Sequence, residues 1–212
     1  MKHTYKYVEV KYDPKQVTVL LDLDDILVDW KGEAAKLYRR MNGLEETGVC
    51  DNKTIDWYLA KNLSDLIEDQ GAEWWATLPP TPWAEALENL MQELFTEHLI
   101  QGVVLCTSPG AYTGAYEGKR RWMEEHGYHP SWQIMTKHKW LCAQKNTVLV
   151  DDRHENIDAF IKAGGEYFWW PEKAQWEEDL AEDGADACCP ILRGLITRLH
   201  NRINEPASMR LT

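Results

Sequence analysis

Long apolar runs are missing from this sequence. No stretch approaches the roughly 18 consecutive apolar residues that a membrane-spanning helix needs. The opening segment, MKHTYKYVEVKYDPK, contains no apolar stretch of signal-peptide length. We therefore expect a protein that neither crosses a membrane nor carries an export signal, and that works in the cytoplasm.

Cysteine pairs and an excess of positive charge are missing as well. The five cysteines are odd in number and show no Cys-x-x-Cys spacing, which is typical of a protein from a reducing compartment. Lysine and arginine number 23 against 35 acidic residues, a formal charge of −12. Such a charge repels polyanions, so polymeric nucleic acid is not an expected partner, and any bound phosphate must be held by local groups.

Short apolar strands alternate with amphipathic helices along the chain. Runs rich in β-branched residues predict buried strands at 17–23, 102–107, 147–150 and 166–169, with a weaker candidate at 132–135. Helical spacing is found between and after them at 83–97, 116–126, 156–163 and 191–203. Strands that alternate with helices predict an α/β fold whose parallel sheet is wound with right-handed crossovers.

A long insertion separates the first two predicted strands. It is about eighty residues long, far more than one crossover helix requires. Helical spacing recurs in it at 33–41 and 62–70, without a convincing strand pattern. The sequence Leu-Pro-Pro-Thr-Pro marks the return to the core, because proline ends a preceding helix and suits the first turn of the next. We predict a helical cap at 30–80, inserted into a core formed by 1–29 and 81–212.

Acidic and hydroxyl side chains lie at or just after the carboxyl ends of three of the predicted strands. They form three groups along the chain: Asp22, Asp24 and Asp25; Thr107 and Ser108; Asp151 and Asp152. Because the carboxyl ends of parallel strands meet at one edge of a sheet, we expect these groups to converge. Four or five carboxylates at one edge would repel each other strongly without a cation, and oxygen ligands in that number suit Mg²⁺.

The spacing of Asp22 and Asp24 adds information about the reaction. Side chains two residues apart on an extended segment share a direction, so both carboxylates can face one substrate. One can attack phosphorus while the other donates a proton to the leaving oxygen and later takes one from the hydrolytic water. The hydroxyls of Thr107 and Ser108, together with a lysine, can bind the other phosphate oxygens. The pattern is typical of a phosphoryl-transfer site.

Four motifs resemble, in order and placement, those of the haloacid dehalogenase (HAD) superfamily: VTVLLDLDDILVDW, VVLCTSPG, a lysine in TKHKW, and TVLVDDRHENI. The resemblance spans residues 17–170 and implies a three-layer Rossmann-like sheet with a small helical cap. The TSP turn, a tyrosine and a lysine soon after it, and the DDR sequence are most similar to the 5'(3')-deoxyribonucleotidases. This implies a Mg²⁺-dependent phosphatase that hydrolyses (deoxy)nucleoside monophosphates through an aspartyl phosphate.

The resemblance also implies roles for the acidic residues. Asp22 matches the nucleophile, and Asp24 matches the acid/base residue, whose main-chain carbonyl also binds the metal. An aspartate at this second position is found in the phosphatase branch of the superfamily and not in the dehalogenase branch. Asp152 matches the direct metal ligand, and Asp151 is an outer-shell or alternative ligand.

The remaining motif residues are implied in the same way. Thr107 matches the phosphate-binding hydroxyl, with Ser108 beside it. Lys139 is the choice for the lysine of the third motif, and Lys137 is its competitor. Asp25 is a departure from the family, because glycine usually occupies this position and permits a tight turn. Asp25 either alters the local backbone or adds a carboxylate near the metal.

Eleven tryptophans are a large number for this length, and most should be packing residues. Trp30, at the cap hinge, and Trp57, Trp74 and Trp75, in the cap, are candidates for a different role, because an aromatic face can stack on a nucleobase. The deoxyribonucleotidases place aromatic residues around the base, and Trp30 falls at a matching position. We therefore expect a nucleotide to contact Trp30 and, among the cap residues, Trp57 and Trp75.

Other functions compete with the nucleotidase hypothesis. A polynucleotide 3'-phosphatase shares a similar fourth motif, but the acidic charge and the lack of a basic groove segment oppose it. Another small-metabolite phosphatase of the same superfamily is a further alternative. A binding protein that keeps the fold without turnover is opposed by the intact set of Asp22, Asp24, Lys139 and Asp152. A homodimer is compatible with each of these hypotheses.

Overall fold

The computed structural model describes residues 12–41, 63–171 and 184–205. Strands and α-helices follow one another in this order: β1 Val17–Leu21, α1 Trp30–Met41, α2 Ser64–Ala76, α3 Ala84–Thr96, β2 Ile100–Thr107, α4 Ala115–Glu125, β3 Gln133–Met135, β4 Thr147–Asp151, α5 His154–Lys162, β5 Glu166–Trp169 and α6 Gly184–Asn204. Short 3₁₀ helices flank β3 at Pro130–Trp132 and Lys139–Cys142. Within these ranges, no helix is long and apolar enough to cross a membrane.

The strands form one five-stranded parallel sheet in the order β3-β2-β1-β4-β5. The four main strands and the weaker fifth strand expected from the sequence are therefore confirmed. The first strand lies at the centre of the sheet, between β2 and β4. Its carboxyl end thus lies beside the carboxyl ends of two other strands, where ligands bind in sheets of this kind.

Alternating side chains of the central strands bury two separate apolar layers. In β1, Val19 and Leu21 belong to one buried cluster and Leu20 to the other. Helices α3 and α6 contribute to the first cluster, and α5 covers the opposite face with Ile157 and Phe160. A sheet with helices on both faces is the three-layer α/β arrangement, as predicted.

Two element boundaries differ from the sequence prediction for local reasons. Strand β1 ends at Leu21, two residues earlier than expected, and the chain then folds back in a turn in which the Val28 amide donates to the Leu23 carbonyl. Helix α1 begins at Trp30 because the Asp29 carboxylate accepts a hydrogen bond from the Gly32 amide at 3.1 Å. This contact caps the helix, since it satisfies an amide that has no partner inside the helix.

The described part of the insertion is helical. Helices α1 and α2 both lie within 30–80 and connect β1 to the proline segment that leads into α3. Residues 42–62 are outside the described ranges, and Trp57 is among them. The division into a core and a cap therefore stays a prediction.

Helix α2 packs very closely on α4. Gly114 precedes α4 with a φ angle of 84°, and a Cβ atom there would lie 2.4 Å from the Ala72 amide nitrogen. One turn later, a Cβ atom on Gly118 would lie 2.3 Å from Trp75 Cβ and 2.4 Å from the Ala72 carbonyl oxygen. The two backbones meet directly because both glycines lack side chains. The contact fixes Trp75 against the core.

Gly118→Ala is expected to destabilise the fold by about 1–3 kcal/mol, because the added methyl group overpacks the α2–α4 contact. Urea unfolding measures this change. Gly194→Ala in α6 is a matched control, since the nearest atom to its added Cβ is the flexible Arg198 Nη1 at 3.3 Å. Alanine is favoured over glycine in a helix interior by up to about 1 kcal/mol, so the control should be neutral or stabilising. Equal stability of both variants would contradict the close contact.

Candidate active site

Three buried carboxylates meet at the carboxyl edge of the sheet. Asp22 follows β1, Asp151 ends β4, and Asp152 comes directly after it. Each offers one carboxylate oxygen to a group in which these oxygens lie within 4.8 Å of one another. The convergence expected from parallel strands is therefore present. Like charges at this separation repel each other strongly, and nearby cations reduce that repulsion.

Lys139 supplies one of these cations. Its ammonium lies 2.7 Å from Asp22 Oδ1 and 2.6 Å from Asp151 Oδ2, and the residue is only 2% exposed. Burial acts to lower the pKa of Lys139, but the two carboxylates outweigh it and hold the pKa above its ordinary value. Lys137, the competing candidate, lines the neighbouring cavity. Of the two lysines, the structure thus places Lys139 at the carboxylates.

The neighbouring aspartates 151 and 152 have different surroundings. Asp151 Oδ1 accepts from the Arg153 amide and from Asn156 Nδ2, and Asp151 Oδ2 accepts from Lys139 and from Asn156 Nδ2. Both of its oxygens are thus engaged within the protein. Burial, with Asp22 nearby, raises the pKa of Asp151 to about 6. Asp152 faces the cavity and pairs with Lys31 at 3.1 Å.

A second buried lysine holds Asp24. Lys119 donates to Asp24 Oδ2 at 2.5 Å and to the Ser108 carbonyl at 3.0 Å, and its ammonium lies 3.4 Å from Thr107 Oγ1. Burial raises the pKa of Asp24, and the ammonium of Lys119 opposes that rise. Ser108 lines the cavity, whereas Thr107 is fully buried behind it. Lys119 therefore connects the end of β2, at Thr107 and Ser108, to the carboxylate of Asp24.

The sequence analysis did not name Lys119 as a site residue, although its position on α4 indicates a buried and paired lysine. It lies on α4 one turn after Ala115 and one turn before Met123, both of which are buried. A charged residue within an apolar helical stripe must be paired, because lysine is almost never fully buried alone. The pairing partner, Asp24, lies 95 positions away in the sequence.

Asp25 adopts the conformation that glycine favours. Its φ angle is 58°, a left-handed value that aspartate tolerates better than most residues. Its Oδ1 atom accepts a hydrogen bond from the Lys31 amide at 2.9 Å, which satisfies a further amide at the start of α1. Burial raises the pKa of Asp25 to about 8, against the opposing effect of Lys31. The backbone turn is kept, and a carboxylate is added beside Asp152.

An aromatic wall borders the carboxylates. A cavity of about 670 Å³ is lined on this side by Trp30, Trp75 and Tyr112. Trp30 stacks on Trp75 with ring centres 6.4 Å apart, and Tyr112 lies 5.8 Å from Trp75. Trp75 is 2% exposed, so it forms the back of the wall, whereas Trp30 is only partly buried. Trp74 packs edge-on against Trp75.

The donor set fits a hard divalent cation. Asp24 Oδ1 is buried and accepts no hydrogen bond from the residues that the structure describes. Five carboxylates face three ammonium groups at this edge, which leaves a formal charge of −2: Asp22, Asp24, Asp25, Asp151 and Asp152 against Lys31, Lys119 and Lys139. Clustered carboxylate oxygens are the ligands that suit Mg²⁺.

Comparison with solved structures identifies the fold. A HAD hydrolase of family IA, variant 3, from Entamoeba histolytica HM-1:IMSS superposes with a TM-score of 0.50 at 14% identity, over 88% of this chain and 100% of that one. The chain has the fold of the HAD hydrolases. No protein-family model and no curated protein matches the sequence.

Two further HAD structures are similar at lower scores. A HAD family hydrolase from Deinococcus radiodurans R1, with bound phosphate and sodium, gives a TM-score of 0.40 at 18% identity over 82% of this chain and 98% of that one. A HAD-like family hydrolase from Porphyromonas gingivalis gives 0.36 at 12% identity over 84% and 98%. The fold of the Entamoeba histolytica structure agrees with the resemblance to the HAD superfamily that the motifs indicated. None of the three structures is a deoxyribonucleotidase by its description.

Proposed function

We propose that this protein is a Mg²⁺-dependent phosphatase that hydrolyses (deoxy)nucleoside monophosphates through a phosphorylated Asp22. The observation that supports it best is the pairing of two carboxylates with two buried ammonium groups beside an aromatic-walled cavity. Lys139 contacts Asp22, and Lys119 contacts Asp24. This arrangement provides a nucleophile, a proton carrier and positive charge for a phosphoryl group.

The reaction proceeds in two steps on the residues of this chain. An Asp22 oxygen attacks phosphorus while Asp24, in its protonated form, donates a proton to the leaving ester oxygen. Asp24 then takes a proton from a water molecule that attacks the phosphorus of the phosphorylated Asp22. This step releases inorganic phosphate, restores Asp22 as a carboxylate and returns Asp24 to its protonated form. The raised pKa of Asp24 favours this role, because it extends the protonated form to higher pH.

The remaining polar groups orient the phosphate. Lys119 and Lys139 bring ammonium groups to the side chains that react, and Ser108 lines the cavity beside them. Mg²⁺, held by Asp22 and Asp152, would supply charge neutralisation for the phosphate oxygens. Asp151 is engaged on both oxygens and serves to hold Lys139 in place.

The cavity supports a nucleotide as substrate. Its volume of about 670 Å³ falls within the roughly 300–1,000 Å³ that small-molecule sites occupy. Trp30 presents an aromatic ring on the same cavity as Asp22 and Lys119, so one ligand can place a base and a phosphate on these two surfaces. The net charge of −12 disfavours polynucleotides, whose binding draws on many phosphate contacts with lysine and arginine.

A phosphate-release screen tests the proposal. Deoxynucleoside monophosphates, sugar phosphates and oligonucleotide 3'-phosphates are compared with Mg²⁺ and with excess EDTA. We expect the monophosphates to show the highest kcat/KM, and EDTA to abolish activity. A better sugar phosphate or oligonucleotide substrate would refute the nucleotidase assignment, and full activity in EDTA would refute the metal-dependent mechanism.

Trp30→Ala is expected to lower kcat/KM for a deoxynucleoside monophosphate by about tenfold to a hundredfold. Stacking of a base on an aromatic side chain contributes roughly 1–3 kcal/mol, which corresponds to that range. Hydrolysis of para-nitrophenyl phosphate should change little, because this substrate has no base. Trp30→Phe should retain most nucleotide activity.

Trp74→Ala is the matched control for Trp30, since Trp74 packs edge-on against Trp75 in the same aromatic cluster. This variant should affect both substrates equally, if it affects them at all. An equal loss on both substrates in Trp30→Ala would mean that Trp30 only packs the wall and does not contact the base.

A further inference from the structure

Lys31 brings an ammonium group from the inserted helix α1 to the carboxylate edge of the core. Its Nζ atom lies 3.1 Å from Asp152 Oδ2 and 3.6 Å from Asp25 Oδ2. The Asp152 side chain is 6% exposed and the Asp25 side chain 14% exposed, so both contacts are largely shielded from water. Shielded charge pairs interact far more strongly than exposed ones.

Asp25 binds Lys31 at two points. Its Oδ1 atom accepts a hydrogen bond from the Lys31 amide at 2.9 Å, while its Oδ2 atom faces the ammonium. The left-handed backbone of Asp25, with φ of 58°, turns the chain so that both contacts form within six residues. The two residues therefore act as one unit, which we call the Asp25–Lys31 pair.

The ammonium of Lys31 uses the same carboxylate that a metal ion would need. Asp152 shares an oxygen cluster with Asp22 and Asp151 that could hold a cation. A divalent ion bound there and an ammonium 3.1 Å from Asp152 Oδ2 would repel each other at close range. Asp25, which is not part of that cluster, offers Lys31 a second carboxylate.

We infer that the Asp25–Lys31 pair is a positioning device that sets the Mg²⁺ affinity of the site. Lys31 holds Asp152 in place and competes with the metal, and Asp25 receives the ammonium when the metal takes Asp152. Because Lys31 and Trp30 both belong to helix α1, binding of Mg²⁺ at Asp152 would change a contact of the helix that carries Trp30. The inference rests on the metal-dependent function proposed above, but it is tested by metal binding and not by turnover.

Isothermal titration of Mg²⁺ into the full-length chain tests the competition. Lys31→Met should bind Mg²⁺ about tenfold more tightly than wild type, because a competing cation has been removed. Lys31→Arg keeps the charge and should retain the weaker wild-type affinity. Lys36→Met, on the same helix, is the matched control, since Lys36 pairs with Glu33 and is largely exposed. It should leave the dissociation constant unchanged.

A double-mutant cycle tests the link between the two residues. The titrations are run at about pH 9, above the pKa of Asp25, so that its carboxyl is ionised. Asp25→Asn keeps the left-handed turn and the acceptor for the Lys31 amide but removes the negative charge, so Mg²⁺ binding should weaken about tenfold. In the Lys31→Met background the same change should weaken Mg²⁺ binding only about twofold, because this variant has no ammonium at position 31 with which Asp25 could pair. Thermal unfolding of each variant checks that the fold is retained.

The outcomes separate this inference from the proposed function. If wild type binds Mg²⁺ and Lys31→Met has the same affinity, Lys31 does not compete with the metal and the inference is wrong. If the effects of the two substitutions simply multiply, Asp25 does not receive the ammonium and the pair is not a unit. If wild type shows no Mg²⁺ binding, both the inference and the proposed metal-dependent function fail.

Discussion

Asp22→Asn should reduce phosphate release at least about a thousandfold while the protein stays folded. The amide has no charge with which to attack phosphorus and is a poor ligand for a cation, so both functions of the residue are lost together. Loss of a nucleophile in a residue group that acts as a unit has effects of at least this size. The measurement is steady-state phosphate release at saturating Mg²⁺, with a deoxynucleoside monophosphate as substrate.

Two controls make the Asp22 result specific. Asp158→Asn, on the exposed face of α5, makes the same chemical change away from the site and should leave activity at the wild-type level. Rapid-quench measurements should detect a phosphorylated enzyme in wild type and none in Asp22→Asn. A variant that retains more than a few per cent of activity would mean that another group attacks phosphorus.

The stability of Asp22→Asn follows from its surroundings. The substitution removes the ion pair with Lys139, but it also removes a negative charge that lies close to Asp151 and Asp152. Relieving like-charge repulsion offsets part of the lost attraction. We therefore expect the midpoint temperature of thermal unfolding of Asp22→Asn to be close to that of wild type. A loss of activity in this variant can then be attributed to the loss of the reacting group and not to unfolding.

The centre of the sheet could be predicted from the sequence because strands β1, β2 and β4 are buried on both faces. Residues such as Val19, Leu20 and Leu21 are apolar without interruption, since alternate side chains enter opposite layers of the core. The short edge strand β3 was a weaker prediction, because its three residues are only partly buried and its apolar pattern is correspondingly weak. Element ends depended on hydrogen bonds that the apolar pattern does not encode, such as the Asp29 contact that starts α1.

The candidate site could be predicted where its residues lie close together in sequence. The spacing of Asp22 and Asp24 and the adjacent Asp151 and Asp152 were visible as motifs at strand ends. Lys119 entered only as the unnumbered lysine after the TSP turn, and Lys31 was not identified. Their contacts with Asp24 and Asp152 join positions 95 and 121 residues apart, respectively. Only the folded chain brings these ammonium groups to the carboxylates, from helices α4 and α1.

Asp25 shows how a departure from a motif can be compensated elsewhere. The sequence left open whether a side chain at the glycine position alters the backbone or adds a charge. The structure has the left-handed backbone that glycine would adopt and also an added carboxylate, which Lys31 accompanies six positions later. A one-residue motif comparison cannot reveal this, because the compensating charge belongs to the following helix.

The two adjacent aspartates of the fourth motif should respond differently to the same substitution. Asp152→Asn is expected to raise the Mg²⁺ concentration for half-maximal activity on the order of a hundredfold, because a direct ligand loses its charge. Asp151→Asn should change this concentration much less and should lower kcat by about tenfold to a hundredfold, the range seen for residues that orient others at metal sites. The reason is that Asp151 is one of two carboxylates that hold Lys139.

Activity measured across a series of Mg²⁺ concentrations, together with calorimetric Mg²⁺ binding, distinguishes the two effects. The comparison is matched, since both residues are buried and both variants lose one charge at nearly constant volume. Asp151 has protein donors on both oxygens, which leaves it less able to move toward a cation than Asp152, whose Oδ2 atom has the displaceable Lys31 ammonium as its partner. A larger loss of Mg²⁺ affinity in Asp151→Asn than in Asp152→Asn would reverse the assignment, with Asp151 as the direct ligand and Lys139, not Lys31, as the cation that the metal displaces.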